Sequence, residues 1–213
     1  MKTVDSIKTV YREKNISFYL SIAGSLFMGT VHLISTVKQF SWLTFNYCLF
    51  SYILVLIKVL LVYLDRSNNK RRLYLAGALA LCVLVVPMTV AMVKTIIEKD
   101  ALVYFFYWMI YLYATYGTVK FVLAVRSRHK AHKSGDACGG VLSWISLVTA
   151  AYTIQMMEFA LIATFDKDRS DSMTMMQFFT HGAVIIFTVF VIVYLLVKAT
   201  TNPVKRMPQN KCF

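Results

Sequence analysis

Six apolar runs set what this chain can fold into. Each is close to the roughly 20 residues an α-helix needs to cross about 30 Å of hydrocarbon. They are Ile16–Val37, Trp42–Leu64, Leu73–Val93, Ala101–Val125, Val141–Phe165 and Met173–Val197. None alternates strictly between apolar and polar residues, which excludes a β-barrel. Helices are then the remaining way to pair every backbone N–H and C=O in lipid. The first run does not read as a cleaved signal peptide, because it is too long and lacks a small-residue cleavage site.

Composition agrees. Apolar residues make up 58% of the 213 and charged residues 15%, against about 45–50% and about 25% in soluble domains. So little polar surface could not cover a water-soluble fold of this size. The longest polar stretch, Arg126 to Asp136, is too short for a folded soluble domain. The fold class expected is all-α transmembrane, a six-helix bundle of three antiparallel hairpins in one domain spanning residues 16–197. Residues 1–15 precede it as a short basic segment, in which Val4, Ile7 and Tyr11 share a helical face suited to lying on an anionic leaflet. Residues 198–213 form a basic tail.

The formal charge of +13 would suggest nucleic acid in a soluble protein. Its placement here excludes that partner, since the basic residues cluster beside the apolar runs instead of forming a free face. Sixteen of the 23 lysines and arginines fall on one side: the N-terminal segment, the second–third and fourth–fifth connections (Asp65–Arg72 and Arg126–Lys133), and the tail. Five fall on the other (Lys38, Lys94, Lys99, Lys167 and Arg169), and Lys58 and Lys120 lie within runs. The positive-inside rule then puts both termini in the cytoplasm of a bacterial plasma membrane, with anionic lipid headgroups as partners.

Glu158 is the one acidic residue inside a long apolar run. An ionisable group there costs roughly 2.5 kcal/mol or more, which makes it a functional-site hypothesis by default. At 1.5 Å per residue, Glu158 lies ~10 Å below the outer boundary, His32 ~8 Å and His181 ~12 Å. Gln155 shares a helical face with Glu158. These four form a candidate outer-half polar site able to relay a proton or hold a cation, histidine titrating near neutrality. Interhelical hydrogen bonding explains the same residues without any ligand. Zinc could use such side chains, but they have no motif spacing, so no metal is assigned.

The inner half has its own cluster. Lys58 and Lys120 lie ~9 Å and ~8 Å inside the cytoplasmic boundary, and Tyr113 and Tyr116 share a face with Lys120. Either the lysine stems reach back to the headgroups, or the cluster is a cationic pocket for an anionic group. With ~10 Å between the two layers, a direct bridge from Glu158 to either lysine is not expected. Ser21, Ser25 and Gly29 make a small-residue stripe on the first run, suited to close helix packing.

Enzyme signatures such as H-E-x-x-H, G-x-S-x-G and the P-loop are absent, and nothing implies a cofactor. The four cysteines show no metal or disulfide spacing. Tyr111-Leu-Tyr-Ala-Thr-Tyr-Gly-Thr-Val-Lys120 and Leu147-Val-Thr-Ala-Ala-Tyr-Thr-Ile-Gln-Met-Met157 resemble uncharacterised six-span integral membrane proteins of Gram-positive bacteria. That resemblance implies the fold and carries no activity. The reading expected is transport or permeation of a small solute or ion. The alternative is a non-catalytic subunit that meets a membrane-protein partner, or a second copy of itself, through the Ser21, Ser25 and Gly29 stripe.

Overall fold

The structure is a computed structural model that describes residues 2–38, 41–65, 69–97, 108–165 and 171–201. The described residues form six α-helices and no strand: α1 (Lys2–Lys38), α2 (Trp42–Asp65), α3 (Lys70–Ile97), α4 (Trp108–Ser134), α5 (Ala137–Phe165) and α6 (Asp171–Thr201). Five of them contain stretches long and apolar enough to cross a membrane: Phe18–Lys38, Trp42–Asp65, Lys70–Lys94, Ala137–Phe159 and Met175–Thr201. The sixth expected run, Ala101–Val125, begins outside the described residues and is followed from Trp108 onward in α4.

Local chemistry sets the helix ends. The Leu43 N–H donates to Ser41 Oγ at 3.2 Å, and the Arg72 N–H to Asn69 Oδ1 at 3.2 Å. Each is an N-cap that satisfies one of the donors a helix start leaves open. The α4–α5 reversal takes only two residues because Gly135 sits at φ +64°, a left-handed conformation that glycine adopts without a Cβ penalty.

That turn corrects one expectation. Arg126–Lys133 is not a loop: α4 continues through it to Ser134. Arginine, lysine and alanine all favour helix, and nothing breaks the run before Ser134-Gly135-Asp136. Lys70, Arg71 and Arg72 likewise belong to the first turn of α3. At the other end of the chain, α1 continues from Lys2 into the first span with no break near residue 15. The side chains of Val4, Ile7 and Tyr11 lie outside the described residues.

Packing departs from chain order in one place. α1 lies on α2, and α5 on α6, as consecutive hairpins would. Among the described residues α3 packs on α2, α5 and α6, and α4 packs chiefly on α5. The core runs through the middle of this arrangement, from Leu54 and Leu61 of α2 and Leu81 and Leu84 of α3 to Ile145 of α5 and Leu195 of α6. The outward faces are also apolar, with Leu56, Leu79, Val86, Ile186 and Phe190 exposed. Helices apolar on every side belong in lipid or in the middle of a large protein.

Between lipid-exposed helices no hydrophobic gain comes from burying one leucine against another, so close fit decides which faces meet. A Cβ at Gly77 of α3 would collide with Val141 of α5. A Cβ at Gly29 of α1 would sit 3.2 Å from the Ser51 Cβ of α2, and one at Gly117 of α4 would rest 3.5 Å from Thr153 of α5. The α2–α3 and α4–α5 turns border one cavity, through Asp65, Asn69, Lys70 and Gly135 among others, so both lie at the same end of the bundle. A ladder of rings and cations ties that end together. Arg128 lies 4.3 Å from the centroid of a Trp144 ring, the Trp144 and Tyr194 rings are 5.4 Å apart, and Lys198 is 5.9 Å from the Tyr194 ring.

Candidate functional site

Two polar layers are buried in this bundle. In the outer layer His32 of α1 is 0% exposed, His181 of α6 1% and Gln155 of α5 3%. Two tyrosines that the sequence did not single out join the histidines. The His32 and Tyr47 rings are 5.6 Å apart, Tyr47 and Tyr152 5.6 Å, and Tyr152 and His181 6.5 Å. The His181 imidazole also stacks on Phe159 at 4.8 Å. A continuous file of imidazoles and phenols therefore crosses from α1 through α2 and α5 to α6.

Two polar side chains of this layer, Gln155 and His181, are poorly satisfied by protein. Both amide atoms of Gln155 are buried without a hydrogen-bond partner, and neither ring nitrogen of His181 makes a bond of good geometry, although the Met88 backbone approaches that ring. The Tyr47 and Tyr152 hydroxyls approach one another. A buried polar group left unsatisfied costs roughly 1–3 kcal/mol, so each such group calls for an explanation, among them an ordered water or ion.

Glu158, the residue that drew attention to this layer, is at its edge. It is half-buried, and its Oε1 accepts a hydrogen bond from Thr180 Oγ1 of α6 at 3.3 Å. Gln155 and Tyr152, three and six residues earlier on α5, project into the core instead. Of the residues expected in this layer, His32 and His181 are linked through the ring file, Gln155 is buried in the core, and Glu158 lies at the edge. Asn46 of α2 supports the layer by donating to the carbonyl of Pro87 on α3 at 2.6 Å.

In the inner layer Lys58 is 1% exposed. Its ammonium donates to Ser21 Oγ of α1 at 2.7 Å. Lys120 of α4 keeps a half-exposed stem and turns its ammonium inward, donating to Thr153 Oγ1 of α5 at 3.3 Å and lying 5.3 Å from the Tyr116 ring. Thr153 can accept because its own hydroxyl donates to the Thr149 carbonyl at 2.7 Å. The side chain of Tyr113 lies outside the described residues.

Ser21, Ser25 and Gly29 face this interior. Ser21 holds Lys58, Ser25 bonds Tyr116, and Gly29 packs on Ser51 and Tyr52. The stripe expected to receive a partner is occupied within the chain, because small residues admit a neighbouring helix of the same bundle equally well.

Between the layers is a cavity of about 10 Å³, room for the centre of about one water molecule. Tyr47 and Tyr152 border it from the outer file, and Lys120, Thr153, Tyr116 and Ser25 from the inner cluster. Tyr47 shares the depth of His32 on the same 1.5 Å rise, a signal that counting all polar side chains by depth would have caught. Tyr152 lies deeper, and nothing in the sequence separates it from a core aromatic. Among the described residues no group of three or more His, Cys, Asp or Glu side chains is placed to hold a metal ion. No protein-family model, curated protein or solved structure matches the chain.

Proposed function

We propose that this chain is a six-span protein of the bacterial cytoplasmic membrane, with both termini inside, that lets a small ion cross through the middle of its bundle. The observation that carries the reading is the water-sized cavity. It is lined by Tyr47 and Tyr152, the phenols of the buried file, and by Lys120 of the inner cluster. Hydrogen-bond networks confined to structural work close on themselves; here Gln155 and His181 are left open. A guest moving along the file would satisfy these groups in turn. Room for about one water argues against a bulky solute.

The orientation rests on the basic residues. The structure gathers Lys70–Arg72, Arg126–Lys133 and Lys198 at one end of the bundle, which supports their lying on one face of the membrane, against anionic headgroups.

The test is flux. Purified protein in liposomes under a potassium gradient with valinomycin is expected to speed the movement of protons, halides or monovalent cations, followed with a pH dye and a halide-quenched dye. Rates equal to those of empty liposomes for all three would refute the reading.

A further inference from the structure

We infer that the basic end of the bundle carries a defined site for one anionic phospholipid, whose phosphate is bound by Arg128 from its seat on the Trp144 ring. This goes beyond the translocation reading and does not depend on ion movement.

The floor of the site is aromatic. Trp144 of α5 is half-buried, and its ring meets Tyr194 of α6 at 5.4 Å and Phe187 of α6 at 6.4 Å. Arg128 of α4 lies over it, the guanidinium carbon 4.3 Å from the centroid of a Trp144 ring. Three helices thus meet at one indole.

Arg128 is the group with donors to spare. Stacking engages the flat face of a guanidinium and leaves its rim of five N–H donors. Among the described residues Arg128 makes no hydrogen bond and no ion pair. The carboxylates described at this end, Asp65 and Asp136, border the turn cavity. A half-buried guanidinium, held in one orientation with its rim open, suits bidentate binding of a phosphate.

Depth identifies which phosphate. On α4 the side chains of Phe121, Val122, Leu123 and Val125 are exposed and apolar, and Arg126 follows. On α6 Val193, Leu196 and Val197 are exposed, and Lys198 follows, 5.9 Å from the Tyr194 ring. Both helices pass from lipid-facing to basic within one turn of Arg128 or Lys198, which is the level of lipid headgroups. Acyl chains have the exposed valines to lie on, and the phosphate has Arg128. Lys198 and Arg126 add positive charge, which favours a headgroup without an ammonium of its own.

The experiment reads Trp144 by quenching. Trp42→Phe and Trp108→Phe leave it alone among the three tryptophans. The protein is placed in vesicles of phosphatidylcholine and phosphatidylglycerol, with one of the two lipids brominated on its acyl chains. At equal mole fraction, brominated phosphatidylglycerol is expected to quench Trp144 several-fold more than brominated phosphatidylcholine. Arg128→Gln should remove that preference. Arg128→Lys should keep only part of it, because lysine retains the charge without the planar fork. Lys133→Gln, exposed about 8 Å further along α4, should leave it whole. If Arg128→Gln also alters quenching by phosphatidylcholine, the comparison of Arg128→Lys with Lys133→Gln decides. Equal quenching by the two lipids, or a preference that Lys133→Gln lowers as much as either Arg128 variant, means diffuse attraction to a basic surface and overturns the site. A preference displaced by inorganic phosphate at constant ionic strength overturns the lipid assignment, since Arg128 would then take the free ion from water. None of these readouts involves flux, so the translocation reading can fail while the lipid site stands.

Discussion

The two polar layers are built on opposite plans. The outer one is set by aromatic stacking and holds two side chains whose hydrogen-bonding atoms make no bond of good geometry: His181, which lies on Phe159, and Gln155. The inner one carries cationic side chains, each fixed by a hydroxyl from another helix, Lys58 by Ser21 and Lys120 by Thr153. Rings pack well without their polar atoms being satisfied, so packing can hold an open polar group in place. A buried ammonium has no such alternative, because its stem contributes little and its charge must be met. The outer layer should therefore tolerate loss of its polar atoms, and the inner one should not.

The largest effect expected is on flux, from His181→Leu. Leucine removes two buried nitrogens that make no good hydrogen bond, and deleting an unsatisfied polar group in favour of an apolar one is nearly neutral or stabilising. Thermal stability should stay level or rise while ion movement in liposomes is lost. A protein that still conducts would show that the imidazole file is packing only. Melting several degrees lower would show that His181 has a structural partner, and the contrast between the layers would fail.

Much of this arrangement was legible in the sequence, for a simple reason: membrane crossing imposes length and depth. The six runs became six helices within a few residues at most ends, and His32 and His181, expected at a similar depth, are joined by one file of rings. Rotation about the helix axis was not legible. Gln155 and Glu158 share a face by spacing, yet a small turn of α5 buries the amide and leaves the carboxylate at the edge. Neighbour choice was also hidden. Nothing in the chain says that α3 lies on α6, because such preferences come from close fits like that of Gly77 on Val141, and apolar runs look alike. Helix ends failed where basic residues read as a loop, since charge places Arg126–Lys133 outside the core without forbidding a helix there.

An intermediate effect is expected from Ser21→Ala in the inner layer. The 2.7 Å bond from Lys58 is charge-assisted, and losing such a bond costs about 1.5–3 kcal/mol, against roughly 0.6 kcal/mol for an average interhelical bond in a membrane. Reversible unfolding in detergent should show that loss. Adding Lys58→Met to the same chain should restore most of it, because the hydroxyl matters only while the charge is there. Additive losses in the double variant would mean that Ser21 serves helix packing and that Lys58 does not depend on it.

Glu158→Gln should have the smallest effect, although Glu158 is the most conspicuous residue in the sequence. Its side chain is half-buried at the α5–α6 boundary, and its one bond, from Thr180 at 3.3 Å, needs only an acceptor oxygen that glutamine retains. The negative charge then acts at a distance, and its loss should slow ion movement by a few-fold at most, with stability unchanged. Measured in the same liposomes as His181→Leu, the two variants rank the core against its edge. If Glu158→Gln abolishes flux and His181→Leu does not, the conducting route follows the α5–α6 boundary past Thr180 and bypasses the cavity. The open amide of Gln155 and the imidazole of His181 would then be buried costs that the aromatic stacking around them offsets.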